Sequence, residues 1–261
     1  MCADFAEDKA RVLGGVDLSR KGSVDAAILP LVGYLNRLDC YYSTSSCSGR
    51  LVLFAEGEEQ RKKGCSWLLV SHDPLEPAQL EEALRCERLG EHTGYVYFKF
   101  EPFVLHVMCA TLSDARLMLQ TAVASGFRNS GLSCGKKERW MVAGEREEAQ
   151  ISHVFSQLVR STHSLEVPLA HDNTLLTTTE YRRHVVDIGN AKLRENLQRV
   201  DRFHRELTGA IERRDRDINI EKKIKSYTGR RKTTKPSDSP QPSQLIENES
   251  DTDDEIATLF S

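Results

Sequence analysis

Eight consecutive residues carry the densest chemistry in the sequence, Ser43-Thr44-Ser45-Ser46-Cys47-Ser48-Gly49-Arg50. Five hydroxyls, a thiol, a glycine and a terminal guanidinium offer short donors beside one planar cation, a set suited to phosphate or carboxylate. The same composition also fits a Ser-rich connecting loop. Cys47 is a possible nucleophile, but no local signature supplies its base. Further on, Ser71-His72-Asp73-Pro74 closes an apolar run. Histidine is the side chain suited to taking a proton near neutrality, which makes His72 a candidate for that role, although an exposed turn histidine has the same pattern. Trp67 fits a core position or a stacking platform, Glu101 beside Pro102 fits a site carboxylate, and His106 fits a hydrogen-bonded core histidine.

The common cofactor templates are missing. The chain has 16 Gly, yet no two are separated by a single residue, so G-x-G-x-x-G does not occur. Gly126 and Gly131 have P-loop spacing, but Leu132 stands where the lysine is required. H-E-x-x-H and EF-hand patterns do not occur either. The seven Cys never form C-x-x-C, which points to free thiols in a reducing compartment and to no zinc ribbon. No metal site is expected. No run of about 18 uncharged apolar residues exists to span a membrane. Met1 to Arg11 lacks the apolar core of a secretory signal, so a cytoplasmic protein is expected.

The elements that must position these residues follow from periodicity. Ser23 is the expected N-cap of a helix ending near Asn36, whose Val24, Ile28, Leu31, Val32 and Leu35 form one stripe. Tyr42 to Arg50 reads as a polar loop. Leu51 to Ala55, Cys65 to Ser71, Tyr95 to Phe100 and Phe103 to Cys109 read as strands, with helices over Pro77 to Arg88 and Asp114 to Ser125, the latter closed by Gly126. An Arg/Lys-rich turn (Arg128, Lys136, Lys137, Arg139) precedes a short strand at Trp140 to Ala143. A charged amphipathic stretch over 144 to 158 follows, then strands from Arg160 to Leu169 and at Leu175-Leu176. A helix from Thr179 to about Arg214 repeats Leu193, Leu197, Val200, His204, Leu207 and Ile211 at a/d spacing, which favours packing on its own domain. The fold class expected is α/β, a mixed sheet with flanking helices, non-Rossmann, with a long C-terminal helix and a disordered acidic tail. The domain boundary falls at 1–225 against 226–261.

The net charge of −3 belongs to the tail, which has four bases and seven acids, whereas residues 1–225 carry 32 of each sign. A neutral body with basic residues on a few loops (Arg20, Lys21, Arg50, Arg128) leaves a nucleic-acid partner open.

Several strings in order along the chain together resemble the third wybutosine-synthesising protein family. They are Asp17-Leu18-Ser19-Arg20-Lys21-Gly22-Ser23-Val24-Asp25, the Ser43 to Arg50 segment, Cys65-Ser66-Trp67, Ser71-His72, Phe98 to Val107, Gly126-Phe127-Arg128-Asn129-Ser130-Gly131, and Arg160 to Leu169. The resemblance implies an S-adenosylmethionine-dependent methyltransferase of non-Rossmann fold. Its implied substrate is the tricyclic guanine derivative 3′ of the anticodon of phenylalanine tRNA, methylated at N4 of the aminocarboxypropyl-demethylwyosine intermediate. The family's S-x-S-S-C-x-G-R, S-H and G-x-x-W patterns are met here, and with them His72 is expected to handle the proton and Ser43, Ser45, Ser46, Cys47, Gly49, Arg50, Trp67 and Ser71 to bind cofactor or tRNA. The chain departs from the family pattern at Gly144 to Leu158, which reads as an insertion. A non-catalytic tRNA-binding scaffold of the same fold is the competing expectation.

Overall fold

The computed structural model describes residues 3–15, 22–56, 65–85, 94–134 and 155–231. Its elements are α1 (Ala3–Leu13), a 3-10 turn (Ala26–Ile28), α2 (Leu29–Arg37), β1 (Tyr41–Cys47), β2 (Arg50–Ala55), β3 (Ser66–Ser71), α3 (Pro77–Ala83), β4 (Tyr95–Glu101), β5 (Val104–Cys109), α4 (Leu112–Ala124), β6 (Gly131–Cys134), β7 (Phe155–Arg160), β8 (Leu165–His171), β9 (Thr174–Leu175) and α5 (Thr179–Arg231). The chain divides into two compact units, residues 1–214 and 215–261.

The α/β class, the flanking helices and the long C-terminal helix are present as expected. The strands form two sheets, ordered β1-β5-β7-β6 and β3-β2-β4-β8-β9, and every described pairing is antiparallel. Where a mixed sheet was expected, the chain passes between sheets at short corners. Such corners are too brief for the crossover that parallel pairing needs.

Strict alternation builds both cores. In β5, Leu105, Val107 and Cys109 are fully buried, while Val104, His106 and Met108 face the other way. In β4, Val96, Phe98 and Phe100 are buried and Tyr95, Tyr97, Lys99 and Glu101 form the opposite face. Each such buried Phe or Leu contributes about 1.5–3 kcal/mol. The first sheet packs on α2, α4 and the Val200, Phe203, Leu207 and Ile211 face of α5. The second packs on α3 and on Val185, Val186 and Leu193 of α5. The a/d stripe of α5 is thus spent on its own domain. Gly189 lets that helix come close, since a Cβ there would lie 3.0 Å from both Leu51 and Phe98.

Several local expectations change. Ile28, Leu31, Val32 and Leu35 form the buried stripe, but Ser23 caps nothing: the chain starts with a 3-10 turn after Asp25, and Pro30 fixes the first turn of α2. The Ser-rich segment is a strand, β1, and not a loop. Its backbone is satisfied by β5, with a register shift between Ser43 and Ser45, and its polar side chains suit an edge strand. Tyr41 anchors it, donating from its hydroxyl to the Asp114 carbonyl at 2.9 Å. Gly126 takes the expected C′ role at φ +101°, with the Gly126 and Phe127 amides donating to Val123 and Ala122 in a Schellman pattern. Residues 155–158 of the expected insertion belong to β7, which lies between β5 and β6. Arg160 to Leu169 is interrupted at 161–164. Helix α1, with Phe5 buried against Tyr42, carried no recognised sequence signal. Helix α5 continues past Arg214 to Arg231. Residues 144–154, the strand expected at Trp140 to Ala143, Arg20, Lys21, Lys136, Lys137, Arg139 and the tail from 232 onward lie outside the described residues.

Candidate functional site

Three strand corners meet at one level of the molecule. Ser48-Gly49 joins β1 to β2, Pro102-Phe103 joins β4 to β5, and residues 161–164 join β7 to β8. Gly49 has φ +97°, and a Cβ there would stand 2.9 Å from the Asn196 amide nitrogen and 3.1 Å from the Glu101 carbonyl oxygen, so only glycine fits. Asn196 of α5, 2% exposed, fastens two corners. Its Nδ2 donates to the Ser48 carbonyl at 2.7 Å, and its Oδ1 accepts from the Phe103 amide at 2.8 Å. The third corner meets the next turn of the same helix. Arg199 donates to Ser161 Oγ at 3.1 Å, and His163 lies 3.1 Å from Glu195.

Beside the first corner opens a cleft of about 610 Å³. Its walls come from the segment before α2 (Ser23, Asp25), the end of β1 (Ser46, Cys47), the start of β2 (Arg50) and edge strand β3 (Trp67 to Val70), with His72 just beyond. Asp25 is buried, and its Oδ2 accepts the Ser48 amide at 2.8 Å. His72 Nδ1 lies 3.0 Å from the Gly49 carbonyl oxygen and 3.5 Å from Asp25 Oδ2. A carbonyl can only accept, so the Nδ1 position carries the proton and Nε2 of the neutral ring keeps its lone pair.

Arg50 donates from Nε to Glu101 at 2.7 Å, and its guanidinium carbon sits 4.7 Å from the centre of the Trp67 ring. Trp67 is 42% exposed, so the rim position replaces the core alternative. Glu101 acts through Arg50. Burial pushes the Cys47 thiol up, only partly offset by the Gly49 amide, which leaves it protonated near neutrality and removes the thiolate that a nucleophile needs. Ligand atoms of Asp25, Cys47 and His72 lie within 4.8 Å of one another, a spacing that a cation could bridge.

The structure therefore brings Ser46, Cys47, Arg50, Trp67 and His72 together in one cleft. Gly49 forms its base through backbone alone. Ser43 is instead engaged by Asn36, with its amide donating to Asn36 Oδ1 at 2.8 Å, and Ser45 Oγ meets His106 Nδ1 at 2.7 Å. That contact places His106 on the outer face of its sheet and not in the core. Ser71 Oγ donates to the Asp73 carbonyl at 2.7 Å and closes the turn that presents His72. Sequence reasoning missed Asp25 and Asn196 as site residues. Both are single polar residues whose partners are distant in sequence, so neither has a spacing signal. Among the described residues, no helix is long and apolar enough to cross a membrane.

Comparison with known proteins identifies the family. The family described as "Methyltransferase TYW3" matches residues 7–209. The human tRNA wybutosine-synthesizing protein 3 homolog is 41% identical over 226 residues, covering 85% of this chain and 79% of its own. The zebrafish (Danio rerio) homolog of the same name is 39% identical over 260 residues, covering 97% and 95%. A protein of solved structure from Pyrococcus horikoshii superposes with a TM-score of 0.63 at 26% identity, covering 78% of this chain and 95% of its own. The cleft thus lies within the matched region of a chain that belongs to the TYW3 methyltransferase family of wybutosine biosynthesis.

Proposed function

We propose that the cleft binds S-adenosylmethionine beside the tricyclic base 3′ of the anticodon in phenylalanine tRNA, and that the methyl group passes to N4 of the aminocarboxypropyl-demethylwyosine intermediate. The convergence of His72, Asp25, Arg50 and Trp67 on one cleft carries this reading. Its volume of about 610 Å³ falls within the range that accepts a cofactor-sized ligand. S-adenosylmethionine supplies an electrophilic methyl carbon when bound.

The protein supplies alignment, exclusion of water and a proton acceptor. The proton that the ring nitrogen gives up on methylation would pass to His72 Nε2. Asp25 and the Gly49 carbonyl hold the resulting imidazolium in place. Arg50 provides a cation for a carboxylate or phosphate, and Trp67 a ring for a base. Entry of the modified base is eased because an anticodon loop is already single-stranded. Asp25 already accepts the Ser48 amide and His72 Nδ1 already faces a carbonyl, which favours an acid–base pair over a metal site here. Cys40, Cys47, Cys65 and Cys109 are free, in keeping with a reducing, cytoplasmic setting.

The test is transfer of labelled methyl to tRNA lacking this methylation. His72→Ala should lower kcat by roughly 100-fold or more. Full activity in both His72→Ala and Arg50→Ala overturns the assignment. Absence of S-adenosylmethionine binding by calorimetry, with and without tRNA, would favour the scaffold reading.

A further inference from the structure

The outward face of the second sheet carries a feature that the cleft chemistry does not use. Alternation in β2, β3 and β4 puts Phe54, Trp67, Tyr95 and Tyr97 on the face opposite the core. These rings touch in sequence across the strands, and His171 of β8 continues the row. Centroids are 6.4 Å apart for Trp67 and Phe54, 5.5 Å for Phe54 and Tyr97, 5.8 Å for Tyr97 and Tyr95, and 4.2 Å for Tyr95 and His171. Phe54 and Tyr97 are inclined by only 20°. Trp67 and Tyr95, near the two ends, are 42% and 40% exposed.

A contiguous aromatic row, exposed at Trp67 and Tyr95 and half-buried at Phe54, Tyr97 and His171, is an unfavourable way to finish a sheet unless something covers it. Two cations are fixed against it: Arg50 over Trp67 at 4.7 Å, and Lys99 with its Nζ 5.9 Å from the centre of Phe54. Glu166 holds Lys99 at 2.9 Å and Glu101 holds Arg50 at 2.7 Å, so both cations are positioned. Rings with interleaved cations are the chemistry that holds unpaired nucleotides, by stacking on bases and by contact with phosphates. The row begins at Trp67, which also lines the cleft, so a strand with one base in the cleft would place its neighbours on these rings.

We infer that this face is a stacking platform for the unpaired nucleotides flanking the target base. The inference rests on the tRNA reading of the cleft. Binding by this face is dominated by rings, in keeping with the neutral body of the chain.

The experiment measures affinity for an RNA hairpin carrying the anticodon arm of phenylalanine tRNA, with a fully paired hairpin of equal length as control, and in parallel KM and kcat for methyl transfer. Tyr97→Ala should weaken hairpin binding and raise KM for tRNA by about tenfold or more, leaving kcat unchanged, while Tyr97→Phe behaves as wild type. Tyr95→Ser, at a more exposed position, should act in the same direction without disturbing the fold. Normal KM in both Tyr97→Ala and Tyr95→Ser overturns the platform while leaving the methyltransferase reading intact. Ring-dependent hairpin binding without any methyl transfer overturns that reading and leaves the platform standing. Self-association of the wild type that Tyr95→Ser abolishes, with RNA binding unmoved, assigns the face to a second copy and overturns the inference.

Discussion

Replacing Asn196 tests whether one side chain holds the corners that shape the cleft. In Asn196→Ala the Ser48 carbonyl loses its donor at 2.7 Å and the Phe103 amide its acceptor at 2.8 Å, both buried. An orphaned buried group costs about 1–3 kcal/mol, so the two together cost about 2–6 kcal/mol. That is a large share of the roughly 5–15 kcal/mol by which domains are stable. Urea unfolding followed by circular dichroism, with the slope unchanged, reads this directly. Asn196→Asp separates hydrogen bonding from packing. An ionised carboxylate still accepts from Phe103 but cannot donate to Ser48, whereas a protonated one can do both. Its folded-state pKa therefore rises above the unfolded value of about 3.9, and stability is fully present below that value and lost as pH climbs through the folded pKa. Turnover should fall more than stability predicts, because the Ser48 amide and Gly49 carbonyl orient Asp25 and His72. A loss below about 1 kcal/mol in Asn196→Ala, or a flat pH profile in Asn196→Asp, would refute the reasoning.

Gly49→Ala combines φ +97° with a Cβ 2.9 Å from Asn196, and should cost about 1–2 kcal/mol in backbone strain alone, read as a lowered melting temperature. Arg182, which is buried, donates two hydrogen bonds to the partly exposed Glu81 at 2.8 Å each, so Arg182→Ala should destabilise by about 1–3 kcal/mol in urea unfolding, with Arg182→Lys recovering only part. Burial lowers the His163 imidazole, with Lys192 and Arg199 adding to the effect and Glu195 opposing it; burial also lowers His204, with Asp201 opposing and Arg37 adding. Each binds fewer protons folded than unfolded, so their contribution is complete above about pH 6.5 and declines as pH falls below it. A His163→Gln, His204→Gln double variant should flatten that decline in urea midpoints.

The strands at β4 and β5 were legible because period-two alternation reports which face is buried, β2 because it is a short apolar run buried at three consecutive positions, and the a/d stripe of α5 because its spacing reports a packed helix face. Composition misled at β1, where serines signal a loop until a neighbouring strand satisfies the backbone. Trp67 shows the limit of a residue-type argument, since large apolar rings suit an interior and a recognition surface alike. The division into two sheets depends on where the chain turns a corner, and Gly49 shows this only through its neighbours Glu101 and Asn196. For the cleft, the sequence supplied Ser46, Cys47, Arg50, Trp67 and His72, and Asp25 entered only through contacts with Ser48 and His72.

The grip of α5 on the corners sets an order in time. Ser48 and Asn196 are 148 positions apart, and Phe103 and Asn196 are 93 apart. A ribosome makes the serine strand, the histidine turn and both sheets before it makes the asparagine that joins them. Long-range closure of this kind is slow, because the entropy of the intervening chain is lost before the contact forms. The nascent polypeptide therefore carries every reactive side chain of the cleft without its geometry. Competence to modify RNA arrives late in synthesis, once the helix residue at 196 has left the ribosome and docked.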